Sequence, residues 1–334
     1  MTSNHKRSES IRKSSSGTPD KKNAGPGAAS LQEPVLHRLR EEAARGGFVA
    51  IGFARPERPL FFDAFHQWLS AGKQGEMRWL ERHLPIREDP EALLPGCRTI
   101  ITLAYPYTSI KPATPDGYTA ARYTEPRQKD YHNRLRAPAR CLGRSIQASF
   151  PGSRYRVCID SAPIMERSFA CRSGIGFIGK NNMLIVPGHG SYLYLVEILT
   201  TAPLAIPEVE PVQNLCGDCM RCVEACPTGA LEKPFSIDAR KCLSYLTIEW
   251  RGDVSGKAAN EMGNCFFGCD RCQEACPFNG DAHQRGVLLP SSDEILGMGD
   301  VDFSRDLGQT CFGRAGLGKV KQNLRAVKRG AGSA

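Results

Sequence analysis

The sequence predicts an α+β fold, in which an α/β-type layer of helices and strands precedes a smaller cysteine-rich unit. Apolar runs typical of strands alternate with helical patterns up to about residue 200, as expected for helices that cover a sheet. Further along the chain, two closely spaced cysteine runs indicate a metal-binding unit. We therefore expect a disordered basic tail (residues 1–30), an α/β domain (31–205), a cysteine-rich domain (206–290) and a helical basic tail (291–334).

Four apolar runs predict strands, and four periodic segments predict helices. The strands are expected at residues 48–53, 98–104, 155–160 and 191–200, and the helices at residues 31–45, 60–71, 130–150 and 164–172. Gly46 ends the first helix, and Pro138 marks a kink or boundary in the third. Residues 106–117 are expected to form an irregular loop, and the Pro-rich residues 202–211 a linker.

The composition is that of an ordinary globular protein, with 334 residues, 41% of them hydrophobic and 24% charged. No apolar run approaches the roughly 20 residues of a membrane-spanning helix. Residues 1–30 contain too few large apolar side chains to form a packed core, and they have no hydrophobic stretch typical of a secretory signal. These features predict a cytoplasmic protein.

The cysteine spacing after residue 215 indicates iron–sulfur ligation. The first run holds Cys216, Cys219, Cys222 and Cys226, the second holds Cys269, Cys272 and Cys276, and a proline follows each run. In two-cluster ferredoxins with this spacing, three thiolates bind one cluster and the fourth crosses to the other. The spacing therefore predicts two [4Fe–4S] clusters in a ferredoxin-like domain. Cys216, Cys219, Cys222 and Cys276 would hold one, and Cys226, Cys269 and Cys272 would hold the other.

The second cluster needs one more ligand, because Phe266 occupies the position of the missing cysteine. Cys242 and Cys265 are both candidates, and spacing alone does not choose between them. Paired cysteines also form structural zinc sites, but zinc does not require a third closely spaced cysteine followed by Cys-Pro. A disulfide framework is disfavoured because the chain is large and has no secretory signal.

Two further patterns have weaker functional meaning. The Gly174–Gly179 segment matches G-x-G-x-x-G, but it follows a predicted helix rather than a strand, which argues against a dinucleotide site. The net charge of +9 permits a polyanionic partner. Basic residues are dense between Arg122 and Arg144 and again from Lys319 to Arg329, although solvated helix faces produce the same pattern.

The order of several motifs resembles that of the epoxyqueuosine reductases of tRNA modification. The motifs are Met77–Leu80, Arg87-x-Asp89-Pro90, Leu94–Gly96, Arg122-Tyr123, Asp130–His132, Asp160–Pro163, Glu166-Arg167, Gly174–Asn181 and Asp238–Glu249, together with both cysteine runs. The resemblance covers roughly residues 31–325. It implies a nitroreductase-like α/β domain that holds cobalamin beside the clusters, and it selects Cys242 as the eighth cluster ligand.

The resemblance also implies a reaction and its site residues. The epoxide oxygen of epoxyqueuosine in the tRNA anticodon loop would be removed with two electrons and two protons, giving queuosine and water. The proton donor of the family maps onto Asp160, whose pKa would have to rise from an ordinary value of about 3.9 through desolvation. A helix N-cap is the alternative role for Asp160. The residues expected to contact cobalamin are Arg87, Tyr123, Asp160, Lys180, Asn181, Ser244 and Asp270.

The implied partners are tRNA and an external low-potential electron donor, and we expect a monomer. Two alternatives belong to other functional classes. A reductive dehalogenase would use the same cofactors but usually carries an export signal, and a non-catalytic electron-transfer protein would need the clusters alone. Asp281-x-His283-x-x-Gly286 matches a short signature for a cobalt-binding histidine, but no α/β domain follows it, so we interpret the match as coincidence. Glu125-Pro126 is an insertion relative to the family motif.

Overall fold

The computed structural model describes residues 26–254, 256–280 and 284–331. Its strands are β1 (Ala50–Ala54), β2 (Thr99–Pro106), β3 (Lys111–Ala113), β4 (Thr119–Ala120), β5 (Tyr155–Cys158), β6 (Phe177–Ile178), β7 (Leu184–Ile185), β8 (Leu193–Thr200), β9 (Leu231–Lys233), β10 (Ser236–Ile237), β11 (Cys265–Phe267) and β12 (Arg285–Val287). Its α-helices are α1 (Pro26–Arg45), α2 (Phe62–Ser70), α3 (Trp79–Arg82), α4 (Leu84–Glu88), α5 (Tyr131–Arg134), α6 (Arg136–Ser149), α7 (Glu166–Arg172), α8 (Arg221–Glu224), α9 (Leu243–Ile248), α10 (Gly256–Glu261), α11 (Arg271–Glu274), α12 (Ser292–Gly297), α13 (Asp300–Asp306) and α14 (Phe312–Ala331).

The main sheet has the strand order β1-β2-β8-β5, and every neighbouring pair is antiparallel. One face packs against α1 and α6, where Leu39 and Ile146 share a core with Val196 of β8. The other face packs against α7, where Phe169 meets Leu199 of β8. Because both faces are covered, β2 and β8 are apolar along nearly their whole length. The predicted α+β arrangement of helices over a sheet is confirmed.

Each predicted strand and helix before residue 200 is present, with shifted ends. The helix expected at residues 130–150 is divided at Leu135 into α5 and α6. Pro138 lies in the first turn of α6, where its missing N–H costs no intrahelical hydrogen bond. The first helix begins at Pro26 rather than Leu31, and proline is well tolerated at a helix start. The rest of the predicted disordered tail, residues 1–25, lies outside the described residues.

A second sheet, of order β11-β4-β3-β12, was not predicted. Its β3 lies within residues 106–117, which were expected to form an irregular loop, and β4 lies just after them. The two strands pair in parallel with β12 and β11 respectively. The segments are too short for their sequence to indicate strands, and their partners lie far away in the chain. Through this sheet, residues 111–120 join the cysteine-rich region. A sheet therefore crosses the predicted domain boundary between residues 205 and 206. The boundary stays a prediction.

The glycine-rich segment forms a hairpin of β6 and β7 instead of a nucleotide-binding turn. A Cβ atom at Gly176 would lie 2.4 Å from the carbonyl oxygen of Ile185, so only glycine fits there. The tip of the hairpin carries Lys180 and Asn181 toward the cysteine-rich region. In the part of the chain that the structure describes, no helix combines the length and apolar character needed to cross a membrane.

Candidate active site

Asp160 lies just beyond the end of β5, at one edge of the main sheet. Its backbone is left-handed, with a φ of 53°. A non-glycine residue pays for this conformation with strain of about 1 kcal/mol or more, and such strain is concentrated at functional sites. The N-cap position of α7 is Met165, so the alternative role of Asp160 as the N-cap of that helix is wrong.

Two neighbouring residues of α5 hydrogen bond to the Asp160 carboxylate. The Tyr131 hydroxyl donates to Oδ2 at 2.8 Å, and His132 Nε2 lies 3.2 Å from the same oxygen. His132 Nδ1 lies 2.6 Å from Oδ1 of Asp130, so the imidazole is held between two carboxylates. Tyr131 is fixed by stacking on Tyr194 of β8, with ring centroids 4.3 Å apart. The result is a rigid Asp130–His132–Asp160 chain.

The electrostatics place a proton on His132. Burial would lower the pKa of His132, but the hydrogen bonds to Asp130 and Asp160 and their charges raise it to about 9. Burial raises the pKa of Asp160, although 49% of its side chain remains exposed. The hydrogen bonds from His132 and Tyr131 outweigh burial and lower the pKa below its usual value. The sequence predicts a raised pKa for Asp160. In the structure, His132 and Tyr131 lower this pKa instead, so Asp160 is an ionised acceptor beside a charged imidazolium.

Arg314, near the start of α14, brings a second cation to Asp160. Its Nη1 lies 3.8 Å from Asp160 Oδ2, and its Nη2 forms an ion pair with Glu249 at 2.7 Å. The guanidinium carbon is 6.0 Å from the centre of the Trp79 ring. No sequence pattern indicated Arg314 as a site residue, because only tertiary packing brings the C-terminal region to the end of β5. Trp79 belongs to a recognised motif but carried no assigned role.

Arg87 also lies within the electrostatic influence of Asp160, and we call the region around these two residues the Asp160 cleft. Its Nη1 donates to the carbonyl of Ile164 at 3.4 Å, and its guanidinium carbon is 5.8 Å from the Phe65 ring centre. Burial lowers the pKa of Arg87, and the charges of Glu166 and Asp160 oppose this effect. Its Nε is buried and has no hydrogen-bond partner among the described residues. Such a donor is suited to an acceptor on a bound ligand.

Asp270 and Tyr123 lie where the two sheets meet the cysteine-rich region. Asp270 is buried, and its Oδ2 accepts hydrogen bonds from the backbone N–H of Arg122 at 2.9 Å and from its Nη1 at 3.2 Å. Glu274 and Lys111 complete this ion cluster. The carboxylate of Asp270 is thus already engaged with protein cations. Burial raises the pKa of Tyr123 well above its usual value.

The remaining predicted cofactor contacts lie by the cysteine runs. Lys180 Nζ donates to the carbonyl of Gly217 at 2.6 Å, and Asn181 Nδ2 donates to the carbonyl of Cys272 at 3.4 Å. Ser244 lies half-buried in α9, where its carbonyl accepts a hydrogen bond from Thr247. The structure therefore places Arg87 within the electrostatic influence of Asp160, and it brings Lys180 and Asn181 to the cysteine runs. His283 lies outside the described residues.

The cysteines fall into two groups, and the charges of the members of a group raise one another's pKa. Burial is the main cause that raises the pKa of Cys222, and the charges of Cys276 and Cys216 raise it further. The pKa of Cys276 is raised by burial and by the charges of Cys216 and Cys219. Burial raises the pKa of Cys272 well above its usual value, and the charges of Cys269, Cys242, Cys226 and, last, Cys222 of the first run raise it further. Cys276 thus influences the first run and Cys226 the second, as the crossed arrangement requires, and that arrangement stays a prediction.

Cys242 and Cys265 differ in their surroundings. Burial raises the pKa of Cys242, and the charge of Cys226 adds to this effect. Cys265 is buried in β11, and its sulfur faces the carbonyls of Phe267 and Gly268 at 3.7 and 3.6 Å. The charge of Cys226 thus acts on Cys242, and that of Cys242 acts on Cys272, whereas Cys269 responds to the charge of Cys265 first and of Cys242 second.

The predicted basic surfaces are only partly available to a polyanion. Arg136, Arg140 and Arg144 are exposed along one side of α6 and line an open cavity of about 730 Å³. Arg156 of β5 and the segment 161–163, which follows Asp160, also line this cavity. By contrast, several basic side chains bond within the protein. Arg122 pairs with Asp270, Arg134 with Glu125, Lys319 with the Gly252 carbonyl, Lys321 with the Met298 carbonyl and Lys328 with Asp293.

Comparison with protein families gives two matches. Residues 87–161 match the family described as "Epoxyqueuosine reductase QueG, DUF1730", and residues 215–279 match the "4Fe-4S double cluster binding domain". The first match contains Asp160 and its neighbours on α5. The second spans both cysteine runs and confirms the prediction of a domain that binds two [4Fe–4S] clusters.

Comparison with individual proteins agrees with these matches. The chain is 36% identical to the epoxyqueuosine reductase of Gloeobacter violaceus over 88% of its own length and 96% of the relative. It is 40% identical to that of Synechococcus sp. strain RCC307, over 72% of this chain and 74% of the relative. A crystal structure of epoxyqueuosine reductase with a tRNA-Tyr epoxyqueuosine-modified stem loop matches with a TM-score of 0.75 and 28% identity, covering 88% of this chain and 80% of that one. The chain therefore belongs to the epoxyqueuosine reductase family.

Proposed function

We propose that this protein is an epoxyqueuosine reductase, an oxidoreductase that converts epoxyqueuosine to queuosine in the anticodon loop of tRNA. The observation that carries the proposal is the hydrogen-bonded chain from Asp130 through His132 to Asp160, within the segment that matches the family. Membership of this family does not favour the dehalogenase or the simple electron-transfer alternative. The relative solved with a modified tRNA stem loop supports tRNA as the substrate.

The cluster ligands proposed for the two [4Fe–4S] centres follow the two groups of cysteines. The first centre is held by Cys216, Cys219, Cys222 and Cys276, and the second by Cys226, Cys242, Cys269 and Cys272. Four thiolates per centre match the chemistry that such clusters require. Cys265 is proposed to be a structural residue of β11, because its sulfur faces backbone carbonyls.

The residues around the cleft fit a corrinoid, whose rim carries amide groups. Arg87 Nε and Asn182 Nδ2 are buried donors without a partner in the described parts of the chain, and amide carbonyls would accept from them. We propose Arg87, Tyr123 and Ser244 as direct contacts of cobalamin. Lys180, Asn181 and Asp270 bond mainly to protein groups. We therefore assign them the role of positioning the segments around the cofactors.

The protein residues manage protons while the bound cobalamin, reduced through the clusters, supplies the two electrons. Asp160 faces the cleft and is the proposed donor to the epoxide oxygen as its C–O bond breaks, because an alkoxide is a poor leaving group. His132 holds the proton in the free protein. When substrate excludes water from the cleft, desolvation raises the pKa of the half-exposed Asp160, so that the proton moves from Nε2 of His132 to Oδ2 of Asp160.

The exposed arginines of α6 are proposed to bind the tRNA backbone. Arg136, Arg140 and Arg144 recur every four residues and line a cavity that extends to the residues beside Asp160. Guanidinium groups bind phosphate through bidentate hydrogen bonds, and release of counterions makes such binding sensitive to salt. The anticodon stem would therefore lie along α6 while the modified base reaches Asp160.

Three further features are proposed from the chemistry of the reaction. An external low-potential electron donor is required, because clusters relay electrons and do not generate them. A cytoplasmic location follows from the tRNA substrate. A monomer suffices, because the residues of the Asp160 cleft and both cysteine groups come from a single chain.

The proposal is tested by anaerobic turnover with cobalamin, a strong chemical reductant and tRNA from cells that lack this gene. The tRNA is digested, and its nucleosides are identified by mass spectrometry. We expect conversion of epoxyqueuosine to queuosine, and a fall in turnover by a factor of about 100 or more in Asp160→Asn with clusters and cobalamin still bound. If the wild-type protein with full clusters and cobalamin gives no conversion, the tRNA assignment is wrong, and organohalides become the next substrates to test.

A further inference from the structure

A groove lined by arginines lies beside both cysteine runs. Its larger part is an open cavity of about 590 Å³, lined by Arg221 of α8, Arg271 of α11 and Cys276. Its smaller part is a cavity of about 280 Å³, lined by Arg271, Arg285 of β12 and Cys269. Because Arg271 lines both cavities, the two adjoin one another, and we call them together the arginine groove.

Two of these arginines occupy equivalent positions in an internal repeat. Residues 221–227 read Arg-Cys-Val-Glu-Ala-Cys-Pro, and residues 271–277 read the same with Gln in place of Val. α8 and α11, which begin the two copies, pack against each other, so the repeat brings Arg221 and Arg271 to one cavity. A Cβ atom at Gly263 would lie 2.8 Å from Nη2 of Arg271, so the glycine leaves room for this guanidinium.

The arginines of the groove are available to a partner. No hydrogen bond or ion pair joins the side chain of Arg221, Arg271 or Arg285 to another residue that the structure describes. Arg221 and Arg285 are exposed, and Arg271 is half-buried. A guanidinium binds carboxylates through paired hydrogen bonds, and arginine is enriched among the residues that contribute most to protein–protein binding. The groove is therefore suited to an acidic protein surface.

The acids of the groove are already balanced by cations. The acidic lining residues are Asp270 and Glu274. Lys111 Nζ lies 2.8 Å from Glu274, and Arg122 Nη1 lies 3.2 Å from Asp270 and 2.5 Å from Glu274. Glu224, the counterpart of Glu274 in the repeat, lines neither cavity. The positive charge of the three arginines therefore remains uncompensated within the groove.

The cysteines beside the groove indicate the kind of partner. Cys276 is a proposed ligand of the first cluster and lines the larger cavity, and Cys269 is a proposed ligand of the second and lines the smaller one. The exposed arginines of α6 line a different cavity, which shares no lining residue with the groove. A protein in the groove would thus lie beside both clusters and away from the proposed tRNA surface.

We propose that the arginine groove is the docking surface for a small acidic electron-carrier protein, an inference that rests on the proposed reductase function. Carboxylates around the redox centre of the carrier bind the arginines and hold that centre beside the clusters. Each encounter oxidises the carrier and reduces one cluster by one electron, so two encounters supply the two electrons of the reaction. Charge complementarity of this kind raises the association rate and is weakened by salt.

Binding of an acidic plant-type ferredoxin tests the surface without turnover. Fluorescence anisotropy of the labelled ferredoxin gives its Kd for the cluster-containing protein across a salt series. We expect Arg221→Gln combined with Arg271→Gln to raise Kd by about tenfold at low salt and to flatten its salt dependence. The control combines Arg45→Gln with Arg98→Gln, which removes the same charge from exposed positions at the end of α1 and before β2, and should bind like wild type. An equal Kd in all three proteins overturns the proposal.

A single substitution outside the cysteine runs keeps the test decisive if the double variant fails to hold its clusters. Arg285 lies in β12. We expect Arg285→Gln to keep both clusters and to bind ferredoxin about threefold more weakly than wild type at low salt. If the double variant lacks clusters, unchanged binding in Arg285→Gln overturns the proposal.

Electron transfer separates the docking surface from the proposed function. Loss of cluster absorbance is followed after mixing with reduced ferredoxin, or with photoreduced deazariboflavin, a small uncharged donor. We expect ferredoxin to reduce the double variant about tenfold more slowly than wild type, and the small donor to reduce both at the same rate. If the clusters follow this pattern but no queuosine forms, the proposed function fails and the docking surface stands. If the double variant binds the tRNA stem loop more weakly and ferredoxin normally, the groove belongs to the tRNA interface and the proposal is wrong.

Discussion

At the scale of single residues, the proposed proton supply depends on the pairing of His132 with two carboxylates. Asp130 contacts Nδ1 at 2.6 Å and Asp160 lies 3.2 Å from Nε2. Their hydrogen bonds and charges overcome the effect of burial and keep the pKa of His132 at about 9. The imidazole is therefore charged throughout the neutral range, and it can supply Asp160 as soon as the cleft loses water.

Removal of the Asp130 charge makes turnover depend on pH. In Asp130→Asn, the pKa of His132 falls toward the ordinary value of about 6.5. Below that pH the imidazole carries its proton in both proteins, so their turnover is similar. Between about pH 6.5 and 9 only the wild type keeps the proton, and we expect the variant to be roughly tenfold slower at pH 8.

The pKa of His132 is measured by NMR titration of nitrogen-15-labelled histidine, in parallel with kcat. Asp302→Asn, which removes an exposed carboxylate from α13, is the control and is expected to titrate and turn over like wild type. An unchanged pKa of His132 in Asp130→Asn would contradict this role for Asp130.

At the scale of secondary-structure elements, α6 presents a positive face beside the cleft. Its sequence predicted a basic helix, and the structure selects which residues remain available: Arg136, Arg140 and Arg144 are exposed, whereas Arg134 is paired with Glu125. Glu125 has a left-handed backbone and forms an ion pair with this arginine. This ion pair engages one cation of the predicted basic segment and links the residues before α5 to that helix.

Neutralisation of the α6 face weakens tRNA binding without altering chemistry. We expect Arg136→Ala combined with Arg140→Ala to raise Kd for the anticodon stem loop by about tenfold, and to reduce the slope of log Kd against log salt by roughly one to two, because two phosphate contacts are lost. Saturating turnover stays near wild type. Fluorescence anisotropy across a salt series measures both quantities. Lys233→Ala removes a charge from exposed β9 and is the control. Equal salt slopes in all three proteins would exclude α6 from the interface.

The extent to which sequence predicted each element depends on the range of the interactions that form it. The strands of the main sheet and helix α7 were predicted because each carries its own apolar pattern. β3 and β4 were missed because they are short and gain their stability from β12 and β11, far along the chain. Arg314 was missed for the same reason, since packing of α14 alone brings it to Asp160. Glu197 of β8 is fully buried. Its burial was not apparent from the sequence, because one acid in an apolar strand resembles an edge residue until both faces are known to be covered.

At the scale of the whole molecule, the two cysteine groups and the Asp160 cleft are parts of one packed unit. The second sheet joins residues 111–120 to β11, and Asp270 binds Arg122 across the same boundary. Arg122 is 1% exposed, so its charge is matched inside the protein by Asp270 and Glu274. The cysteine-rich region therefore packs directly against the segment that precedes α5.

The choice of the eighth cluster ligand is the prediction that tests this arrangement most directly. Cys242 lies close enough to sense the charge of Cys226, whereas the Cys265 sulfur faces backbone carbonyls. We expect Cys242→Ser to reduce iron from about eight to about four per chain and to abolish turnover, because the second cluster loses a thiolate. Cys265→Ser, the matched control, should keep both clusters. Iron analysis and electron paramagnetic resonance of the reduced proteins measure the outcome. The reverse pattern, with iron lost only in Cys265→Ser, would transfer the ligand role to β11 and require that strand to turn its sulfur toward Cys269 when the cluster binds.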